Sequence, residues 1–166
     1  DVDKLRPPVF SLIAMEEPEN SLSPHLLGRV LRELQAFSEH HDAQVAVATH
    51  SPALLRRVPP EQVRYLRLDP SRCTVVSTIQ MPDASDEAYK FVREAVCAYP
   101  ELYFSRLIIL GEGDSEEVVL PRLMAAHGMV ADQASISVVP LGGRHVNHFW
   151  RLLSGLAIPY VTLLDL

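Results

Sequence analysis

RLIILGEGDSEEVVLP, residues Arg106 to Pro121, carries the most specific pattern in the chain. Leu107 to Leu110 is an unbroken apolar run, β-branched at Ile108 and Ile109, short enough to be a buried strand of a parallel sheet. It ends in Gly111-Glu112-Gly113, after which Asp114 can cap a helix. Glu117, three residues on, would complete a capping box ahead of an apolar run. A carboxylate flanked by glycines at the C-terminal end of such a strand lies where open α/β sheets hold their ligands. Glu116 follows Glu112 by one helical turn, so both carboxylates can face one crevice, and two acids there suit a hard divalent cation. Acids in a first helical turn also complement the helix dipole, so Asp114, Glu116 and Glu117 can equally be capping residues. Glu112 precedes the helix and is not explained that way.

Downstream, the helix is expected to run to about His127, with Gly128 ending it. Ile136 to Pro140 is a second strand, Leu141-Gly142-Gly143 a turn, Val146 to Leu156 a helix, and Tyr160 to Leu164 a third strand ending at Asp165. A β-α-β-α-β run of this kind forces parallel pairing with right-handed crossovers. Phe149 and Trp150 are expected in the core. Arg144, His145, His148 and Arg151 follow the glycine turn. Arg144 could touch phosphate, but a solvated helix face accounts for all four, since isolated surface charges contribute little.

Upstream, the apolar strand Val9 to Met15 runs into Glu16-Glu17-Pro18-Glu19-Asn20. Paired acids after an apolar strand form the Walker B pattern of P-loop ATPases. One acid holds Mg2+ through water and the next polarises the water that attacks the γ-phosphate. By position Glu16 takes the first role and Glu17 the second, although a strand meeting an acidic turn would look the same. Ser23-Pro24 is an N-cap and N1 pair. The helix behind it places Leu26, Leu27, Val30, Leu31, Leu34 and Phe37 on one stripe. A second short strand, Gln44 to Ala48, ends in Thr49-His50-Ser51-Pro52. Between these parts lie a hairpin, Gln62 to Leu68 with Cys73 to Ile79, and a helix from about Asp86 to Ala98. That helix is capped at Ser85, with Tyr89 or Phe91, Val92, Ala95 and Val96 facing inward. Pro100 to Ser105 leads into Arg106.

With 166 residues the chain is one ordinary domain or pieces of two, and at 48% hydrophobic residues it can bury a core. A net charge of −6 leaves no basic footprint for nucleic acid on the chain as a whole, although a local groove, or DNA held through metal, is compatible with it. Cys73 and Cys97 match no metal spacing and no disulfide framework, so a reducing cytoplasm is expected. No apolar run approaches the ~18 residues of a membrane helix. The chain opens on Pro7-Pro8 just ahead of one strand and stops at Leu164-Asp165-Leu166 inside another, which is expected of a fragment. The 166 residues show no phosphate-cradling glycine loop.

The order EEPEN-SLSP, ATHSP, LGEGDSEE and LDL resembles the OLD family (overcoming lysogenisation defect nucleases), including the Gabija-type defence nucleases. The resemblance implies an α/β fold in three parts. Residues 1–59 would be the rear half of an ABC-type P-loop ATPase domain. Residues 60–105 would be a hairpin and helix linker, with Tyr103-Phe104 similar to the aromatic pair ahead of the nuclease strand. Residues 106–166 would be the front half of a Rossmann-like TOPRIM domain. It also implies roles: Glu16 and Glu17 as Walker B, Ser21 to Pro24 as the D-loop, and His50 as the switch histidine that senses the γ-phosphate. Ser23 stands where the family often carries histidine, and Glu16 where most such ATPases carry aspartate. Glu112 would be a metal ligand and base, with Glu116 and Asp165 as further ligands. Leu164-Asp165-Leu166 looks like the front of an Asp-x-Asp motif.

By resemblance, the intact protein is an ATP-dependent or nucleotide-regulated DNA endonuclease of antiphage defence or DNA repair. It would use ATP and Mg2+ or Mn2+, with two metals about 4 Å apart at the phosphodiester. It would act on DNA in the cytoplasm, pair with a second copy through the ATPase domain, and work with a helicase partner. Two other readings stand beside it: a recombination-mediator or SMC-type ATPase that binds DNA and cuts nothing, and a non-catalytic interaction fragment. Glu112, Glu116 and Asp165 within one αβ unit favour the nuclease.

Overall fold

A computed structural model describes residues 9–40, 42–83, 87–142 and 146–164. It divides into two compact units, Asp1–Arg57 and Val58–Leu166. Among the described residues no helix is long and apolar enough to cross a membrane.

In the first unit, β1 (Ser11–Glu16) is followed by α1 (Pro24–Ser38), β2 (Ala43–Ala48) and the single turn α2 (Pro52–Leu55). β1 and β2 pair in parallel from Ser11 opposite Ala43 to Glu16 opposite Ala48. The period-2 alternation of a strand sends Ile13, Met15, Val45 and Val47 to the half-buried face, while Leu12, Ala14, Gln44 and Ala46 are exposed. α1 packs against β2 and buries Leu27 and Leu31, with Val30, Leu34 and Phe37 half-buried. Leu26, expected in the same stripe, is 49% exposed. It lies about 100° around the helix from Leu27, at the edge of the apolar face. Ser23 occupies the N-cap in extended conformation with Pro24 as the first helical residue, as expected, although its hydroxyl makes no capping bond.

The second unit opens with the antiparallel hairpin of β3 (Arg64–Leu68) and β4 (Thr74–Thr78). Asp69 closes its turn: its N–H donates to the Cys73 carbonyl at 2.9 Å, and its Oδ1 accepts the Cys73 N–H at 2.8 Å. α3 (Glu87–Ala98) buries Val92 and Val96; Ser85, the expected cap, lies outside the described residues. A 3-10 turn over Pro100–Phe104 buries Leu102 and Tyr103 and delivers the chain to β5 (Leu107–Gly111). Then come α4 (Asp114–Ala126), the short α5 (Ala131–Ala134), β6 (Ile136–Pro140), α6 (Val146–Gly155) and β7 (Tyr160–Thr162). Of these five elements only α5 has no counterpart in the sequence reading; in the first unit α2 has none either. Gly128, at φ 81°, ends the α4 segment in the left-handed region, where glycine avoids a Cβ clash.

β5, β6 and β7 form a parallel sheet in the order β6-β5-β7. The first and third strands are therefore neighbours, and β5 is central. Its Ile108 and Leu110 are fully buried, as are Val139, Leu153, Leu156 and Ile158. Leu107 and Ile109, on the opposite face of the strand, are half-buried. Phe149 is core, as expected. Trp150 is not: it is 37% exposed, and its indole N–H donates to Thr162 Oγ1 at 2.9 Å. An indole seldom buries fully unless its N–H finds a partner, and here that partner sits at the sheet edge.

Candidate functional site

The register of β1 and β2 brings two turns together at the C-terminal end of the first unit's sheet. Glu16 is the last residue of β1, exposed and opposite Ala48. The Glu17 N–H donates to the Ala48 carbonyl at 2.8 Å, which carries the ladder one residue further. There the chain turns sharply, with Glu17 left-handed at φ 45°, ψ 54° just before the buried Pro18. A non-glycine residue in that region costs of order 1–3 kcal/mol and persists only where its surroundings hold it. Both carboxylate oxygens are held. Oε2 accepts the Asn20 side-chain amide at 2.7 Å, and Oε1 lies 3.1 Å from His50 Nδ1. His50 and Glu17 are 64% and 42% exposed, so their contact orients two side chains more than it stabilises the fold. Two of the residues singled out from sequence, Glu17 and His50, thus meet across 33 residues of chain.

Three participants, Glu19, Thr49 and Asn20, were not foreseen. Glu19 Oε1 accepts the Thr49 hydroxyl at 2.6 Å, and Thr49 Oγ1 accepts the Ser51 N–H at 3.0 Å. Asn20 is the third, through its bond to Glu17. The available signal was a third acid in the turn after β1 and a hydroxyl residue immediately before the histidine.

In the second unit, β5 ends at Gly111, and Glu112 follows it, half-buried, in the turn before α4. The helix begins one residue earlier in its cap than the sequence suggested. Gly113 is the N-cap, Asp114 is the first helical residue, and Glu116 rather than Glu117 is the residue whose side chain reaches back. Glu116 Oε2 accepts the Gly113 N–H at 2.9 Å, satisfying a donor the helix leaves open. That bond holds the Glu116 carboxyl below its ordinary value of 4.5. Gly111 allows this approach: a Cβ placed there would stand 2.6 Å from Glu116 Cβ. The three strands end together at this edge. Gly111 lies opposite Pro140, its carbonyl accepts the Leu141 N–H at 2.9 Å, and the Leu163 N–H donates to the Leu110 carbonyl at 2.8 Å.

Hard carboxylate oxygens are the donors Mg2+ and Mn2+ prefer, and Glu112 and Glu116 supply that chemistry beside a helix start. Among the described residues no three His, Cys, Asp or Glu side chains gather as a metal-holding group. Asp165, the expected third carboxylate, lies outside the described residues, as do Arg144 and His145; Arg151 is exposed on α6.

Residues 103–166 match the family model described as "Overcoming lysogenization defect protein-like, TOPRIM domain". Residues 4–56 match the model described as "AAA domain, putative AbiEii toxin, Type IV TA system". No curated protein sequence matches the chain. The chain thus matches an AAA domain model in its first part and an OLD-like TOPRIM model in its last, a combination consistent with an OLD-family ATPase–TOPRIM nuclease.

Proposed function

We propose that the protein carrying this chain is a nucleotide-regulated, metal-dependent DNA endonuclease. In this reading residues 1–59 supply part of the ATPase, 60–105 the connection, and 106–166 part of the nuclease. Glu112 carries the proposal: a half-buried carboxylate directly after the central strand of a parallel sheet, at the edge where ligands of open α/β folds bind. β7 runs beside β5 toward that edge, and Asp165 follows it in sequence by three residues. Glu112, Glu116 and Asp165 would hold Mg2+ or Mn2+. Bound metal supplies charge stabilisation to the oxygens of the phosphodiester. Glu112 would orient the attacking water, and Glu116, anchored on Gly113, would keep the helix start facing the ligand.

In the ATPase segment Glu16 would hold Mg2+ with ATP, Glu17 would direct the hydrolytic water, and His50 would face the γ-phosphate. Glu17 suits that task because Asn20 and His50 hold its carboxylate in one orientation. DNA is the proposed substrate. A second copy paired through the ATPase segment, a helicase partner, a cytoplasmic location and a role in antiphage defence or repair are further parts of the same reading.

The test uses the intact protein. Glu112→Ala should abolish nicking of plasmid DNA in Mn2+ while ATP hydrolysis stays near normal, because the two sites lie in different units. Arg151→Ala should change cleavage little. Full-rate cutting by the Glu112→Ala protein would sink the nuclease assignment and favour a recombination-mediator type of ATPase.

A further inference from the structure

The two turns that bring Glu17 and His50 together have little backbone in common. The ladder between β1 and β2 ends with the Glu17 N–H on the Ala48 carbonyl. Beyond that point every described contact across the gap involves a side chain. One is the exposed Glu17–His50 contact at 3.1 Å. Another is the shorter, partly buried bond from the Thr49 hydroxyl to Glu19 at 2.6 Å, and the His50 backbone amide also lies close to the Glu19 carboxylate. An O–H donor on a carboxylate is a strong, directional bond, and partial burial protects it from competing water.

Its position makes it consequential. Glu19 lies two residues beyond Glu17, and the intervening turn is closed by the Asn20 N–H on the Glu17 carbonyl at 3.0 Å. Thr49 immediately precedes His50. Its hydroxyl, fixed by donating to Glu19, in turn accepts the Ser51 N–H at 3.0 Å. His50 is therefore flanked on both sides by residues whose placement depends on one carboxylate. An acid is an unfavourable choice for merely closing a turn here, because Glu19 Oε2 is buried without a hydrogen-bond partner. Burial works against the charged form, but the Thr49 hydroxyl, nearby backbone amides of Glu19 and His50, and the His50 ring outweigh it. The carboxyl is thereby held below its ordinary range.

We propose that Glu19 is a positioning residue: through Thr49 it locks the His50 loop onto the Glu17 turn, so that the two side chains stay aligned on one nucleotide. The proposal rests on the reading of Glu17 and His50 as nucleotide-site groups, and its two experimental arms separate the two claims.

The first arm needs no nucleotide. In the chain as described, Glu19→Ala should speed hydrogen exchange of the Ser51 amide by at least about tenfold, the effect expected for one lost charge-assisted bond. Amides of the β1–β2 ladder serve as the control for global unfolding. Thr49→Val removes both the bond to Glu19 and the acceptor of the Ser51 N–H, so it should speed Ser51 exchange at least as much. Adding Glu19→Ala to it should add nothing further, because the Glu19 contact is then already gone. Glu19→Gln keeps an acceptor for the hydroxyl and should keep most of the protection. Unchanged Ser51 exchange in Glu19→Ala, or additive effects in the double variant, would overturn the lock.

The second arm uses the intact protein. Glu19→Ala should lower kcat for ATP about tenfold while KM stays within about twofold, because alignment and not ground-state binding is lost. Glu19→Gln should restore most of kcat. A Glu19→Gln protein as slow as Glu19→Ala, with Ser51 still protected, would mean that the charge itself matters and would overturn the positioning role. If Glu17→Gln leaves hydrolysis intact, the nucleotide-site reading fails, whatever Glu19 does to Ser51 exchange. If Glu17→Gln stops hydrolysis and Glu19→Ala changes neither readout, the positioning role alone fails.

Discussion

Gly111 has no room for a methyl group. A Cβ there would stand 2.6 Å from Glu116 Cβ and 3.1 Å from Cγ, at the root of the side chain where rotation gives no relief. The backbone at the end of β5 and the first turn of α4 must therefore separate if the residue grows. Gly111→Ala should destabilise the second unit by roughly 1–3 kcal/mol, the range for overpacking a closed site. It should also break the Glu116–Gly113 bond, read as faster exchange of the Gly113 amide. A urea midpoint equal to that of the parent would show that the approach is looser than the distances imply. Glu17 illustrates the opposite strategy at the same scale: a left-handed residue is tolerated because Ala48, Asn20 and His50 hold it from three directions.

Among the elements, the 3-10 turn Pro100–Phe104 leads into the central strand with Pro100, Leu102 and Tyr103 buried. Leu102 and Tyr103 are 1% and 2% exposed, whereas Phe104 is 42% exposed, so the adjacent aromatics divide between core and surface. The Tyr103 ring meets Tyr65 of β3 at 6.4 Å between centroids, which ties the hairpin to this turn. Its hydroxyl is buried without a hydrogen-bond partner, and burial pushes the phenol well above its ordinary pKa. An unpaired buried hydroxyl costs free energy, and removing it leaves the ring packing intact. Tyr103→Phe should therefore be neutral or stabilising by up to about 1 kcal/mol in urea unfolding. A clear loss of stability would reveal a bond to that hydroxyl.

For the whole molecule, acid sensitivity follows from three glutamates spread over both units. Glu19 is held low by Thr49 and nearby amides against the opposing effect of burial, Glu61 by the Tyr89 hydroxyl at 2.6 Å, and Glu116 by the Gly113 amide. Each folded-state value lies below the ordinary 4.5. Each group therefore adds stability that is present above the ordinary value and is lost as pH falls through the lower folded value. Urea midpoints should be lower at about pH 3 than at about pH 6, with Glu19 contributing in the first unit and Glu61 and Glu116 in the second. Each bond is a single contact on a side chain that is half-buried (Glu19, Glu116) or exposed (Glu61), so the effect should be modest and weaken further with added salt. A midpoint independent of pH over that range would show that the bonds are made equally in the unfolded chain.

Much of this was legible without coordinates. Strand and helix positions follow from apolar period and from turn residues a few positions away, so β5, β6, α6 and the cap at Ser23 could be read locally. The order of the motifs, Glu16-Glu17 then His50 then Glu112, likewise needed no fold to be recognised. Tertiary structure decided what depends on residues far apart. The Glu19–Thr49 bond spans 30 residues and exists because Glu16 stands opposite Ala48, a register no local pattern reports. Leu26 and Trp150 satisfy the apolar pattern yet end at the surface, because burial is set by which neighbouring element covers a face. The shift of the cap from Asp114 to Gly113 has the same origin: several acids in that turn could cap equally well by sequence. Only the close approach of Gly111 selects Glu116.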